Sequence, residues 1–258
     1  MSKKRHAVED EPHFLVRTLA LCFSDGHEIE PHAHDWSQLL YAASGVVTVW
    51  TAQGSWVAPP HGAIWAPAGV AHAMRFAGAA SLTTLYLRPG QWDSLPSTSA
   101  VIAVSPLLRE LIQRAVAVGM LDGRERAHAA MADLIADEIE AQPAPALDLP
   151  LPQSAVLRRV ADHVAAHPDE RAGHAELAGR FGVGTRTLER GFAAETGLSL
   201  GKWRRQARLL HALRLLGAGA PVKRAAQAAG YRSASAFVAA FRASLGATPA
   251  RYFEAGEG

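Results

Sequence analysis

At 258 residues, 49% apolar and 19% charged, the chain has an ordinary globular composition and enough length for two domains with a core each. A single cysteine, Cys22, excludes an internal disulfide framework; no apolar run approaches membrane-spanning length and MSKKRHAVEDEP lacks a signal-type core, so a cytoplasmic protein with no membrane partner is expected. The net charge of +2 conceals an asymmetry, with 10 Lys/Arg against 16 Asp/Glu in residues 1–154 and 16 against 8 in residues 155–258, which directs phosphate contact to the second half only.

Residues 1–12 read as a solvated tail. From Phe14 to Phe23 a first strand is expected, and Cys22 is most simply a small buried residue on it. Through residue 100, β-branched and aromatic runs alternate with Gly/Pro turns at short intervals, the pattern of an antiparallel sandwich or barrel. The spacing says more. Gly26, His32-x-His34, Gln38 and Gly45 resemble the first cupin motif, and Pro67-x-Gly69-x-x-His72 resembles the second. Three departures stand out: Gln38 occupies the position of the family's Glu, the Gly62-to-Pro67 gap is one residue short, and Phe76 stands where the second motif usually ends in Asn. They leave the barrel reading intact and weaken any enzyme reading.

Two apart on a strand, His32 and His34 point to the same face. His72 from a later strand completes a three-histidine set, with the Gln38 amide oxygen as a weak fourth ligand. Imidazole suits Zn, Ni, Fe or Cu. The alternative is a metal-free polar pocket in which the same residues bind an organic effector. Trp36 shares the inward parity of His34 and Gln38 and is the expected pocket wall, because small-molecule sites are mostly apolar with a few polar groups. Arg75 reads either as a partner for an acidic ligand group or as a plain surface cation. Asp35 turns outward.

Residues 105–121 and 125–141 each carry apolar residues at helical spacing, Leu107, Leu108, Leu111, Ile112, Ala115 and Val116 in the first and Met131, Leu134, Ile135 and Ile139 in the second. Joined at LDGR, they form a helical hairpin, 101–141, that either packs on its own barrel or pairs two subunits; a two-fold homodimer suits paired DNA half-sites. The proline-rich stretch 142–153 is the expected linker, extended and with little strand or helix.

In the last segment, 154–254, residues 154–167 form a helix with Ser154 as cap and Pro168 as stop. Two helix-glycine turn-helix units follow, about 174–195 and 222–245, joined by a long helix over 201–219 with Trp203, Ala207, Leu210 and Leu213 as its buried stripe and Gly217 as its stop. RTLERGF (186–192), ETGLSLGKW (195–203), RLLHALRLL (208–216), AGYRSASAFVAAFR (229–242) and GATPARYF (246–253) resemble, in order, the DNA-binding domain of the AraC/XylS transcription regulators. The resemblance implies a fold of α+β class and several domains: an N-terminal cupin-like antiparallel β-barrel with a helical hairpin, then an all-α domain with two helix-turn-helix units.

It also implies double-stranded DNA, a small-molecule effector and RNA polymerase as partners. Base contact is expected from Arg186, Glu189 and Arg190 on the first recognition helix and from Ser235 on the second; phosphate contact from Thr185, Arg205, Arg232, Ser233 and Arg242. Arg forks onto guanine and Glu accepts from cytosine. The second recognition helix offers Ala234, Ser235, Val238 and Ala239, none able to make a bidentate base contact, so the readout should be asymmetric. The competing reading is a metal-dependent cupin enzyme, of dioxygenase or isomerase type, with a helical appendage.

Overall fold

The computed structural model describes residues 12–140 and 147–254. In chain order the elements are β1 (Phe14–Phe23), β2 (Glu28–His32), β3 (Ser37–Trp50), β4 (Gly54–Ala58), β5 (Gly62–Ala66), β6 (His72–Leu87), β7 (Ala100–Ala103), α1 (Pro106–Val118), β8 (Met120–Asp122) and α2 (Arg126–Glu140). Then come β9 (Asp148–Pro150), α3 (Ala155–Ala166), α4 (His174–Arg180), α5 (Thr185–Thr196), α6 (Leu200–Gly217), α7 (Val222–Ala228), α8 (Ala234–Leu245) and α9 (Pro249–Glu254). They divide into two compact units, Met1–Val49 with Ala58–Ala144, and Trp50–Val57 with Pro145–Gly258. The expected tail falls almost wholly outside the described residues.

The first unit is a cupin-like antiparallel sheet with strand path β7-β5-β3-β6-β1-β8 and β2 added on β6. Side chains alternate between the faces of a strand. One face of β3, β5 and β6 contributes Leu39, Tyr41, Ala63, Trp65, Leu85 and Leu87 to a core shared with Leu108, Ile112 and Ala115 of α1 and Ala132, Ile135 and Ile139 of α2. Each large aliphatic or aromatic side chain buried this way contributes ~1.5–3 kcal/mol. The helical hairpin is therefore anchored on its own sheet.

Two expectations change here. The LDGR connection is not a plain join: Met120–Asp122 pairs with β1, because Leu121 is fully buried in the helix–sheet core and alternation then places its neighbours outward. Cys22 is exposed, not buried. It lies on the stretch of β1 that runs past the covered part around Val16, where Leu19 and Leu21 are exposed as well.

The second unit begins with a further correction. Part of the expected linker lies outside the described residues, but its end forms β9, which pairs antiparallel with β4 (Gly54 opposite Pro150, Trp56 opposite Asp148). Pro150 closes that strand and needs no N–H in the ladder; its carbonyl accepts from Trp203 Nε1 at 2.7 Å. Gln206 on α6 donates to the Asp148 carbonyl.

The helices follow their apolar periodicity. Leu157, Val160, Ala161 and Val164 line the buried side of α3, and Trp203, Ala207, Leu210 and Leu213 that of α6. Ser154 does not cap α3 with its side chain; Glu195 Oε2 instead accepts from the Gln153 and Ser154 amides at 2.7 and 2.9 Å. Gly217 ends α6 but does not turn it. Gly219, with φ +81°, makes the turn, its N–H bonding the Leu216 carbonyl and that of Ala220 the Leu215 carbonyl.

Candidate functional site

The histidines meet at the entrance to the first unit's sheet. His32 is the last residue of β2 and His72 the first of β6, paired opposite each other. His34 is not on a strand: it sits in the turn before β3, so strand parity with His32 is not what brings it inward. A backbone bond does: the Gly69 N–H donates to the His34 carbonyl at 2.8 Å, fastening this turn to the Pro67–Gly69 turn. Ring centroids are 4.8 Å apart for His32–His34, 4.6 Å for His32–His72 and 5.4 Å for His34–His72. One nitrogen from each lies within 4.8 Å of the others.

His32 Nδ1 lies 2.8 Å from the Glu30 carbonyl and His72 Nδ1 2.9 Å from that of Val70. A carbonyl only accepts, so each ring donates from Nδ1, the kind of bond that orients ligating histidines. Gln38 Nε2 donates to Tyr86 Oη at 3.4 Å, and the Tyr86 ring meets His34 edge-on at 5.2 Å. Gln38 Oε1 is buried and accepts no hydrogen bond from the described residues. A buried amide oxygen left so is costly. Imidazole nitrogens gathered this way are of the donor type that suits a borderline divalent ion.

Trp36 is 4% exposed, and the guanidinium groups of Arg17 and Arg88 lie 5.4 and 5.1 Å from its ring centroid. These two arginines and Tyr86 were not singled out as site residues in the sequence. Arg17 pairs opposite Tyr86 across β1 and β6, a register that no local pattern announces. Arg75 takes the surface reading: it forms an exposed ion pair with Glu28 at 3.4 Å. Asp35 is exposed, as expected.

In the second unit α4–α5 and α7–α8 form the two helix-turn-helix pairs. Leu188 and Phe192 are buried while Arg186, Glu189 and Arg190 face solvent together. Glu189 is engaged within the unit, Oε1 lying 2.7 Å from His174 Nδ1. Thr185 is the first helical residue of α5, and the cap is Gly184, with no side-chain bond. On α8, Phe237 and Phe241 are buried; Ser235 and Ala239 are exposed, while Ala234 and Val238 are half-buried. Ser233 is the N-cap, its Oγ accepting from the Ala236 N–H at 3.1 Å, which leaves only its hydroxyl proton for a phosphate. Arg205, Arg232 and Arg242 are exposed.

Two family models match the chain: the AraC-like ligand binding domain over residues 21–146 and a helix-turn-helix domain over residues 177–255. HTH-type transcriptional regulator NimR of Escherichia coli is 34% identical over 221 residues, covering 86% of this chain and 81% of that protein. HTH-type transcriptional regulator RipA of Corynebacterium glutamicum is 33% identical over 132 residues, 51% of this chain and 38% of the relative. Among solved structures, ToxT from Vibrio cholerae aligns over 95% of this chain and 100% of its own at 10% identity and a TM-score of 0.41. The DNA-binding domain of AdpA, in complex with a target DNA, aligns over 40% of this chain and 93% of its own at 34% identity and a TM-score of 0.37. With a ligand-binding domain ahead of a double helix-turn-helix domain, and relatives that are transcriptional regulators, the chain belongs to the AraC/XylS family of transcriptional regulators.

Proposed function

We propose that a small effector binds at the site bordered by His32, His34, Trp36, Gln38 and His72 and thereby sets how the second unit engages a promoter. The observation that carries this reading is the convergence of three imidazoles in a domain where Gln38 Oε1 is buried and accepts no hydrogen bond from the described residues. A divalent transition metal fits the same residues, with His32, His34 and His72 as ligands and Gln38 as the fourth; bound there, it would supply a Lewis-acidic anchor for an effector's anionic or nitrogen donor. On the DNA side, α5 reads base edges through Arg186, Arg190 and Glu189. The second recognition helix, with Ser235, contributes mainly phosphate and methyl contacts from Arg232, Ser233 and Arg242.

The active species in this reading is a cytoplasmic homodimer that acts on RNA polymerase. Leu107 and Leu134, 49% and 46% exposed on α1 and α2, support the helical hairpin as the surface that a second copy covers. Among the described residues no helix is long and apolar enough to cross a membrane.

The test is thermal unfolding of the chelator-treated chain with added zinc or nickel, then with a panel of small organic compounds. Saturation at about a hundredfold over Kd should raise stability by ~2.7 kcal/mol. His72→Ala should remove the response. If no metal shifts the wild type, the metal part fails; if no compound does either, the effector site is misplaced.

A further inference from the structure

Glu189 stands on the exposed side of α5 between two arginines, three residues after Arg186 and one before Arg190. Side chains three apart on a helix are neighbours, and a carboxylate there pairs readily with a guanidinium. Glu189 takes another partner. Its Oε1 lies 2.7 Å from Nδ1 of His174, the first residue of α4. A carboxylate only accepts, so His174 donates from Nδ1. Among the described residues neither Arg186 nor Arg190 forms a hydrogen bond or ion pair. The imidazole that holds the carboxylate is itself seated. Its other edge lies near Gly201 in the first turn of α6, where a Cβ would meet Cε1 and Nε2 at 3.9 Å, an ordinary van der Waals distance. The His174 and Glu189 side chains are 32% and 51% exposed. A pair this open to water contributes little to stability. What it does fix is the direction of one side chain on a helix that has to meet a groove.

We propose that His174 is a positioning residue for sequence readout: by holding Glu189 it keeps that carboxylate off Arg186 and Arg190, so that both guanidinium forks stay open for guanine. The proposal rests on the reading that α5 meets base edges through these three residues. Two physical effects follow from the bond. An arginine paired to a carboxylate of its own helix must break that pair before it forks onto a base, and His174 removes the competitor. One carboxylate oxygen of Glu189 is committed to His174, and the other accepts no hydrogen bond from the described residues. That second oxygen is left to accept from cytosine N4. Because the side chain is held before DNA arrives, less of its rotamer freedom remains to be lost on binding. His174 touches no base in this scheme; it acts through Glu189.

The experiment uses the full chain and the tightest duplex it selects from a random pool, with every single-base change of that duplex as a competitor. Glu189→Ala should flatten the preference at one cytosine position, a loss of about tenfold in discrimination. His174→Ala should flatten the same position and a nearby guanine position as well, because the freed carboxylate turns onto Arg186. Combining His174→Ala with Glu189→Ala should restore the guanine preference and leave the cytosine preference lost. His174→Asn keeps an N–H donor close to the place of Nδ1 and should retain both preferences. His174→Phe keeps a ring without a donor and should behave as His174→Ala does. The slope of log K against log salt should stay unchanged throughout, which reports that the fold and the phosphate contacts persist. If Glu189→Ala flattens a position and His174→Ala flattens none, the proposal is overturned while base reading by α5 stands. A uniform loss on every duplex in His174→Ala, with His174→Asn no better than His174→Phe, overturns it too and makes His174 a packing residue. A Glu189→Ala chain with all its base preferences intact refutes the reading of α5 at that residue, and the proposal falls with it.

Discussion

Gly182 and Gly230 occupy equivalent turns, one in each helix-turn-helix pair, and replacing each with alanine separates two costs. Both adopt left-handed backbone, with φ +70° and +74°. For any residue with a Cβ that conformation costs ~1–2 kcal/mol. At Gly182 nothing lies within 4 Å of where the Cβ would go, so strain is the whole effect. At Gly230 the Cβ would stand 2.7 Å from Asp169 Cα and 2.9 Å from the Pro168 carbonyl oxygen. Both are backbone atoms, and that carbonyl is held by Arg208 Nε at 2.6 Å, so the neighbour has little room to retreat. Overpacking of this kind adds ~1–3 kcal/mol. Gly182→Ala should therefore lose ~1–2 kcal/mol and Gly230→Ala ~2–5 kcal/mol. Denaturant unfolding of the full chain, with hydrogen exchange over α6–α8 to place the loss, measures both. If Gly230→Ala costs no more than Gly182→Ala, the contact between that turn and residues 168–169 does not constrain the fold as described.

Arg190→Ala should flatten the preference among duplex sequences more than it weakens binding overall; a uniform loss, measured by competition between selected and scrambled duplexes, would refute its base-reading role. Glu195→Gln weakens the acceptor for the Gln153 and Ser154 amides and should cost about 1 kcal/mol, a figure reduced for its solvent exposure, read from denaturant midpoints. Burial, then the charge of Arg214, hold the His211 pKa below its ordinary value, against the opposing pull of Asp169. The unfolded chain thus binds that proton first. His211 contributes stability that is complete above about pH 6.5 and lost as pH falls below it, so His211→Gln should show a shallower decline of unfolding free energy between pH 6.5 and 5 than the wild type. Gln38→Glu places a carboxylate at a position only 2% exposed. It should lower the thermal midpoint of the metal-free chain and raise zinc affinity; a carboxylate that does neither removes Gln38 from the ligand set.

Much of this molecule was legible where periodicity and a stop signal coincide. The stripe from Trp203 to Leu213 is of this kind, since burial on one face dictates its pattern. The three histidines were legible through motif spacing, but the reason His34 turns inward was not. A hydrogen bond from Gly69, thirty-five positions away, supplies it, and no local rule contains that bond. Register explains the other omissions: Arg17 faces Tyr86 only because β1 and β6 pair as they do. Pro150 misled in the opposite sense. Prolines argue for an extended linker, and they also tolerate the end of a strand, where pairing asks nothing of their missing N–H.

The excursion of residues 50–57 into the second unit bears on how such proteins can be recombined. A chain cut at Ser154 would leave α6 without the Pro150 and Asp148 carbonyls that Trp203 and Gln206 grip, and one cut ahead of Asp148 would leave β9 without β4. Swapping regulator halves at the proline-rich stretch would graft a DNA-binding portion that lacks one of its own strands. Chimeras that also carry Trp50–Val57 from the donor should fold more readily than those joined at one seam.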